Sequence, residues 1–491
     1  MLRKTPMDRR AFLTALAATS LATLTPEAVL AASAAANPAW APAVGDIEAD
    51  LAPRSLKLVH GKAPRGLAGT LYRNGPAKFR RGAGPNATHW FDGDGLVRAF
   101  RIRDGRAGLA GRFVDTFKRR QDEQFGAMVG AGFASTARPG ATVRSADDSN
   151  AANTALLAIG GELLALWEQG SPYAMDPDTL ATKGPKTYRP DLAHMPFLAH
   201  PRIEPNGRVW NLGVAGKAAL VWTLNADGRL EKAQMIALPR ASYIHDFTAT
   251  ARHLVIVLQP WVQDKAVMPF VDSMSWRPEM GTQVLVVDKD DLTRRRLFDL
   301  PPFFVFHLGD AWEEADGTIR FDACIEQDAG FATIGARELI ALKTPKMATT
   351  ALAMITLGAD GKGRLETTPL RAEFPRADAR FAGSGRSRTI VNTIGGGPGK
   401  PFLQGVAVSD WRTGKADVFD FGPDHCAEEM LFVPRPGSGR ELDGWLVGTS
   451  LNLKARATEL HVFDAGHVAD GPVCSWRSDV ALPVGFHGAW I

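Results

Sequence analysis

The chain has few cysteines, and their spacing suits neither a metal site nor a disulfide framework. Its 491 residues include only three, Cys324, Cys426 and Cys474, with no CxxC pair. A disulfide-stapled fold and a zinc ribbon are therefore excluded, and one disulfide is the most the chain could form. We interpret all three as buried thiols without a chemical role.

Concentrated charge of one sign is also missing. The formal net charge is only +4, and no run rich in lysine and arginine follows the first ten residues. Nucleic acid is therefore a poor candidate partner. With 45% hydrophobic and 22% charged residues, the composition is that of an ordinary globular protein with enough apolar material for a large core.

The first 35 residues differ from the rest. Asp8-Arg9-Arg10-Ala11-Phe12-Leu13 places paired arginines before an apolar pair, and an Ala/Leu/Thr-rich run follows and ends at small residues. This pattern resembles a twin-arginine export signal. A membrane anchor is the alternative, but Pro26 and Glu27 interrupt the run before it reaches the roughly 18 apolar residues a span needs. We expect residues 1–35 to be a cleaved signal and the mature protein to be periplasmic.

Beyond about residue 45, short apolar or alternating runs are separated by turn residues such as Asn225-Ala226-Asp227-Gly228. Many short strands at close spacing predict an all-β sandwich, barrel or propeller. A propeller suits this length best, because it grows by repetition. No linker divides residues 36–491, so we predict one domain. No internal repeat is clear enough to count blades, and the best helix candidate, residues 116–130, is short.

Four of the 11 histidines occur in similar apolar settings. An unpaired imidazole on an apolar strand costs about a few kcal/mol, and metal ligation would compensate for that cost. The spacings of 45, 62 and 180 residues exclude a helical HExxH site and suit ligands from separate blades. Hydrogen bonding to neighbouring residues is the alternative. The four are His200, His245, His307 and His487.

From about residue 50 to the end, ordered motifs resemble those of the carotenoid cleavage oxygenases. The resemblance implies a seven-bladed β-propeller with iron on its axis and a cap of loops and short helices over the metal face. The motifs are Gly69-Thr70-Leu71-Tyr72-Arg73-Asn74-Gly75-Pro76, Trp90-Phe91-Asp92-Gly93-Asp94-Gly95, Asn153-Thr154, Leu166-Trp167-Glu168, Ala199-His200-Pro201-Arg202-Ile203, Ile244-His245-Asp246-Phe247, Phe304-Val305-Phe306-His307, Glu373-Phe374-Pro375-Arg376, Phe432-Val433-Pro434-Arg435 and Phe486-His487-Gly488.

The resemblance implies that the four histidines bind one Fe(II) per chain. Imidazole suits several metals, so iron is inferred from the resemblance and not from the ligand type. In this family three glutamates hold three of the histidines, which fixes the tautomer of each ring. By that pattern Glu168 pairs with His245, Glu373 with His307, and Glu429 with His487, which leaves His200 without a carboxylate.

The third glutamate is the least secure match. The family usually has Gly-Glu-Pro at this place, whereas this chain has Glu428-Glu429-Met430. The offset of three residues before Phe432 favours Glu429. We interpret Glu428 as a solvated loop charge.

The activity that the resemblance implies is oxidative cleavage of a C=C double bond by iron(II) and O2. No catalytic residue beyond the metal centre is implied. The substrate would be small, apolar and conjugated, and four aromatic residues match positions that line the family's substrate tunnel. These are Phe91, Trp167, Tyr243 and Phe306.

Stilbene- and isoeugenol-cleaving relatives grip a phenol with a tyrosine and a lysine. This chain has no tyrosine between Tyr72 and Tyr173, and no lysine from Arg144 to Ala152. An apocarotenoid or carotenoid is therefore the leading substrate, and a phenolic stilbene or phenylpropanoid is the alternative. Isomerase chemistry at the same metal site and a non-enzymatic binding propeller remain as further alternatives, because a fold alone implies no function.

Two apolar segments fall where the family places its cap, residues 125–133 and residues 267–271. Neither shows the alternation of a half-buried strand. We expect them to form an apolar rim at the tunnel mouth with a possible peripheral membrane contact. The alternative is that both pack on the propeller as core.

Overall fold

Tight turns between short strands shape the chain in a computed structural model, which describes residues 37–346, 350–394 and 401–491. The predicted turn at Asn225 shows how the sequence encodes them. Its side-chain oxygen accepts hydrogen bonds from the backbone N–H groups of Asp227 and Arg229 at 3.1 and 2.9 Å. Gly228 takes a φ of +76°, a conformation that glycine adopts without steric cost. The export signal predicted for residues 1–35 lies outside the described residues.

Within the described residues, 32 strands form seven antiparallel sheets of four or five strands and one two-stranded ribbon. In chain order the strands are β1 Leu51–Ser55, β2 Lys57–Gly61, β3 Gly69–Arg73, β4 Leu96–Arg103, β5 Arg106–Phe113, β6 Ala155–Ile159, β7 Glu162–Leu166, β8 Tyr173–Met175, β9 Thr182–Pro185, β10 Arg202–Ile203, β11 Val209–Ala215, β12 Ala218–Leu224, β13 Leu230–Ala237, β14 Thr248–Ala249, β15 His253–Leu258, β16 Trp261–Gln263, β17 Met274–Trp276, β18 Thr282–Asp288, β19 Arg295–Leu300, β20 Phe304–Glu313, β21 Ile319–Glu326, β22 Ala351–Leu357, β23 Gly363–Thr367, β24 Ala372–Arg376, β25 Arg388–Ile394, β26 Leu403–Asp410, β27 Lys415–Asp420, β28 His425–Pro434, β29 Gly444–Asn452, β30 Ala457–Asp464, β31 Cys474–Arg477 and β32 Gly488–Trp490.

Five sheets use strands that follow one another along the chain: β6–β9, β10–β13, β14-β15-β18-β19, β20–β23 and β24–β27. In the other two sheets, strands from the N-terminal part of the chain pair with strands from its C-terminal part. Strand β32 pairs with β3 in the sheet β1-β5-β4-β3-β32, and β2 pairs with β31 in the sheet β2-β31-β30-β29-β28. These pairings close the ring of blades. The predicted seven-bladed β-propeller is confirmed.

The hydrophobic core lies between neighbouring blades. One cluster combines Val255 and Val286 of one sheet with Phe321 and Ile355 of the next, all buried. Fully burying each such side chain contributes about 1.5–3 kcal/mol. The alternating apolar residues of the strands thus hold adjacent blades together, and the blades fix where their edge strands end.

Two short helices, α1 Phe117–Phe125 and α2 Ala336–Ile340, lie outside the blades. Helix α1 begins where the Thr116 side chain accepts from the N–H of Arg119 at 3.1 Å, and it ends at Gly126, which has a φ of +59°. Helix α2 packs with Trp90 and Phe486 in one apolar cluster, which places it over the site described next. Among the described residues, no helix has both the length and the apolar content to cross a membrane.

Candidate metal centre

The four histidines lie in, or just before, edge strands of four different blades. His200, His245 and His487 lie just before β10, β14 and β32, and His307 lies within β20. All four were expected on apolar strands, and for three of them this was wrong. The residues before His200 and His245 make only isolated bridges, Trp167 to Phe197 and Ser242 to Val262, so no continuous ladder forms there.

The four rings converge on one point. One ring nitrogen of each lies within 4.8 Å of the corresponding nitrogen of the others. The Nε2 atoms of His200 and His245 are 3.0 Å apart, and those of His307 and His487 are also 3.0 Å apart. All four residues are at most 9% exposed.

Three glutamates hold the outer nitrogens of three of these rings. Nδ1 of His245 lies 3.0 Å from Oε2 of Glu168, and Nδ1 of His307 lies 2.6 Å from Oε2 of Glu373. Nδ1 of His487 lies 3.0 Å from Oε1 of Glu429. Because a carboxylate accepts the Nδ1–H, each ring keeps its Nε2 lone pair for the centre.

This donor set fits a divalent metal ion. His307 and His487 both donate through Nδ1, so their Nε2 lone pairs face each other at 3.0 Å. Two lone pairs at that distance repel each other unless a cation or a shared proton lies between them. Four neutral imidazoles suit iron, zinc, copper or nickel.

Burial favours the uncharged form of two of the four rings. It lowers the pKa of His200 well below its usual range, assisted by the neighbouring imidazoles of His487 and His245. It also lowers the pKa of His487 to about 3, in spite of Glu429. Burial lowers the pKa of His245 as well, but the charge and hydrogen bond of Glu168 outweigh it, so the net shift is upward. Glu168 therefore makes His245 a more basic ligand.

Both consecutive glutamates of β28 point inward, and the interpretation of Glu428 as a solvated charge was wrong. The pairing of β28 with β29 shifts register between Ala427 and Met430, and such a bulge can turn two adjacent side chains to one side. Glu428 is 2% exposed, lies 3.3 Å from Nε of Arg73, and accepts from the N–H of Gly485 at 3.0 Å.

Glu429 is held by cations as well as by His487. Nε of Arg376 lies 2.7 Å from its Oε1, Nη1 of Arg73 lies 3.3 Å from its Oε2, and the N–H of Gly488 donates to Oε2 at 2.9 Å. Burial raises the pKa of Glu429, but Arg376 and His487 outweigh it and hold that pKa well below its usual range. The carboxylate therefore stays charged.

A cavity lined mainly by aromatic and aliphatic side chains opens onto this centre. Three of the four aromatic residues proposed for the substrate, Phe91, Trp167 and Phe306, lie in its wall together with His245, His307 and His487. Tyr243 does not belong to this wall. Its hydroxyl donates to Oε1 of Glu168 at 2.9 Å, and the residue lines a separate cavity behind that carboxylate.

Several wall residues had not been identified from the sequence. Trp90 and Phe486 adjoin residues that were named, so their neighbourhood was a usable signal. Phe331 and Phe402 lie in segments far away in sequence, which only the fold brings to the cavity. Phe374 has a φ of +58°, rare for a bulky residue, and its ring centre lies 4.9 Å from that of His307.

The model of the retinal pigment epithelial membrane protein family matches residues 45–491. The chain belongs to this family. Among its relatives, apocarotenoid-15,15'-oxygenase of Synechocystis is 29% identical, over 88% of this chain and 92% of its own length. Resveratrol cleavage oxygenase 1 of Aspergillus fumigatus is 28% identical, over 88% and 91%. Isoeugenol monooxygenase of Pseudomonas nitroreducens is 26% identical, over 91% and 95%.

Solved structures in the family share the fold. A Synechocystis apocarotenoid oxygenase with a glutamate-to-glutamine substitution superposes with a TM-score of 0.83 at 25% identity, covering 92% of this chain and 98% of that one. A cobalt-substituted form of the same oxygenase gives the same values. The family resemblance inferred from the motifs is thus confirmed.

Proposed function

We propose that this chain is an iron(II)-dependent dioxygenase that cleaves a C=C double bond of an apocarotenoid or carotenoid to carbonyl products. One observation carries the proposal: four histidine nitrogens lie within 4.8 Å of one another, and three of these histidines, His245, His307 and His487, line an aromatic cavity. The similarity to apocarotenoid-15,15'-oxygenase and to carotenoid 9,10(9',10')-cleavage dioxygenase 1 of Phaseolus vulgaris supports it.

The chain's own residues would hold the metal, orient its ligands and exclude water from the cavity. His200, His245, His307 and His487 would hold one iron(II), which when bound supplies electrons to O2. Glu168, Glu373 and Glu429 would fix the tautomers of three of these ligands. The aromatic wall, including Phe91, Trp167 and Phe306, would exclude water and lie against an apolar conjugated chain.

The cavity wall favours a polyene over a phenol. Its described residues include no tyrosine and no lysine, the pair that would grip a phenol. The similarity to the resveratrol and isoeugenol enzymes keeps a phenolic stilbene or phenylpropanoid as the second candidate. A purely binding propeller is disfavoured, because buried imidazoles with facing lone pairs would cost stability without a ligand.

Anaerobic reconstitution with iron(II), followed by exposure to O2 and substrate, tests the proposed function. Separate reactions with an apocarotenal and with resveratrol are read for carbonyl products by mass spectrometry. Cleavage of the apocarotenal supports the main proposal, and cleavage of resveratrol alone supports the second. Binding without any cleavage, or isomerised substrate in place of cleaved products, would contradict a dioxygenase.

We further propose that exposed apolar residues of the cap contact a membrane or a similar apolar reservoir. Each of the two segments is exposed in part and buried in part. Phe125, Val267 and Met268 are 47, 49 and 64% exposed, whereas Phe133 and Val271 are buried as core. The N–H of Val271 donates to the carbonyl of Phe133 at 3.0 Å, which joins the two segments.

Replacing exposed apolar residues should weaken membrane association without unfolding the protein. We expect Phe125→Asp with Met268→Asp to reduce liposome co-sedimentation several-fold and to change stability by only about 0.5 kcal/mol, because surface substitutions cost little. Phe270→Asp is the control for core damage, because Phe270 packs on Phe133 and Tyr243. Unchanged co-sedimentation of the double variant would contradict the proposal.

We also propose export through the twin-arginine route, motivated by Arg9-Arg10 ahead of Phe12-Leu13. Arg9→Lys with Arg10→Lys should leave the uncleaved precursor in the cytoplasm, because the route reads the arginine pair. Cell fractionation and N-terminal sequencing measure this. Full processing of the double variant in the periplasm would count against it.

A further inference from the structure

One wall of the aromatic cavity carries polar groups that have no hydrogen-bond partner among the described residues. Glu326 lines this cavity and is 5% exposed, and its buried Oε2 has no hydrogen-bond partner among the described residues. The hydroxyl of Thr350 and Oε1 of Glu373 are also buried, and neither has a partner in the part of the chain that the structure describes. Asn153, in contrast, is satisfied, because its amide donates to the carbonyls of Phe91 and Gly93.

Strand pairing brings these groups together. The pairing of β21 with β22 ends at Ile325 and Ala351, and Glu326 and Thr350 are the next residue on each side and line the same cavity. Side chains that face each other across antiparallel strands are about 4.5–5.5 Å apart at Cβ. Glu373 reaches the same cavity from β24 and accepts from His307 through its other oxygen. We call Glu326, Thr350 and Oε1 of Glu373 the polar wall.

The polar wall is costly in an otherwise apolar cavity. Buried polar groups without hydrogen bonds destabilise a protein, and native structures retain few of them. Burial, together with the nearby charges of Glu373 and Asp328, raises the pKa of Glu326 well above its usual range. This shift favours the protonated carboxyl, which has an O–H to donate and a carbonyl oxygen to accept.

We infer that the polar wall binds a hydroxyl or carbonyl oxygen of the substrate and that Glu326 determines this specificity. The carboxyl of Glu326 would donate to a carbonyl or accept from a hydroxyl, and the Thr350 hydroxyl would make the complementary bond. The inference rests on the proposed function for the conjugated nature of the ligand. It adds that an oxygenated substrate is preferred over a pure hydrocarbon.

Ligand binding can be measured apart from turnover, because Trp90 and Trp167 lie in the cavity wall and their fluorescence reports occupancy. Titrations use the iron-loaded protein without O2. Two ligand pairs distinguish a carbonyl oxygen from a hydroxyl oxygen. The first compares a polyene aldehyde with the hydrocarbon of equal length, and the second compares a hydroxystilbene with stilbene. Turnover of each ligand is then followed after O2 is added.

The variants isolate the polar wall. Glu326→Met removes both polar atoms, Glu326→Gln keeps one donor and one acceptor, and Thr350→Val removes only the hydroxyl. Thr356→Val, on the strand β22 that follows Thr350, is the matched control, since the Thr356 hydroxyl bonds to Arg320 outside the cavity. Thermal melting of the metal-free proteins reports whether Glu326 carries a structural cost.

We expect wild type to bind one or both oxygenated ligands about tenfold more tightly than their hydrocarbons, the effect of one buried hydrogen bond. Glu326→Met should lose this preference and melt at a higher temperature, because an unpartnered polar group is gone. Glu326→Gln should keep most of the preference, and Thr356→Val all of it. A preference confined to the aldehyde pair identifies a carbonyl, and one confined to the stilbene pair identifies a hydroxyl.

Equal binding of oxygenated and hydrocarbon ligands by wild type would overturn the inference, and cleavage of those ligands would leave the proposed function standing. A preference that Glu326→Met retains would also overturn it. A Glu326-dependent preference without cleavage would support the inference and contradict the dioxygenase. Absence of binding by every ligand to wild type would count against both.

Discussion

His245→Ala combined with His307→Ala should reduce bound iron from one per chain to an undetectable level and abolish cleavage. The pair removes two of four converging nitrogens, one from each close Nε2 pair. The two remaining imidazoles, His200 and His487, are too few ligands to compete with water for iron(II). Metal analysis after anaerobic reconstitution and desalting measures the loss.

The control for this result is His60→Ala with His467→Ala, because both of these histidines are exposed and remote from the cluster. It should bind iron as wild type does. Melting of the metal-free double variant separates loss of ligands from loss of fold, since removing facing lone pairs should leave the fold intact. Wild-type iron content in His245→Ala/His307→Ala would refute the assignment of the centre.

Strands could be predicted from the sequence where an apolar run coincides with a strand that pairs within its own blade. The apolar runs at residues 155–159 and 253–258 coincide with β6 and β15, because their side chains pack between blades. The ring closure was not predictable in this way. Strands β2 and β32 pair with partners more than 400 residues away, and the blade count came from family motifs and not from a repeat.

At the site, the histidines that would bind the metal were easier to identify from the sequence than residues whose position depends on the tertiary structure. Burying a histidine in an apolar run costs free energy unless the ring has a partner, and the four histidines found in such runs converge on one point. Glu428 was misread because a bulge in β28 has no local sequence signature. Tyr243 was expected in the tunnel wall because it is aromatic, but its hydroxyl donates a hydrogen bond to Glu168 instead.

Glu429→Gln should weaken metal binding and also destabilise the fold. The substitution neutralises a carboxylate between the buried Arg73 and the half-buried Arg376 and leaves the charge of Arg73 less compensated. Breaking a buried pair in this way costs about 3–5 kcal/mol, and losing the carboxylate on a ligand costs about 10–100-fold in metal affinity. Chemical denaturation of the metal-free protein and iron titration measure the two effects separately.

Glu428→Gln and Glu168→Gln separate the two roles of Glu429, in metal binding and in stability. Glu428→Gln should also destabilise the fold, because Glu428 lies beside the buried Arg73 and Arg98, but it should leave iron affinity unchanged. Glu168→Gln should weaken iron with a smaller loss of stability, because its partners His245 and Tyr243 carry no fixed charge. If Glu428→Gln loses iron while Glu429→Gln retains it, the carboxylate that holds His487 has been misassigned.

The dependence of stability on pH gives an independent check on Glu429. Its pKa in the folded protein lies below the ordinary value of 4.5. Its contribution to stability is therefore fully present above about pH 4.5 and is lost as the pH falls towards the folded-state pKa. The stability difference between wild type and Glu429→Gln should be largest near neutral pH and should shrink on acidification below about pH 4.5. A difference that stays constant from pH 7 to pH 3 would mean that the Glu429 charge does not hold this network together.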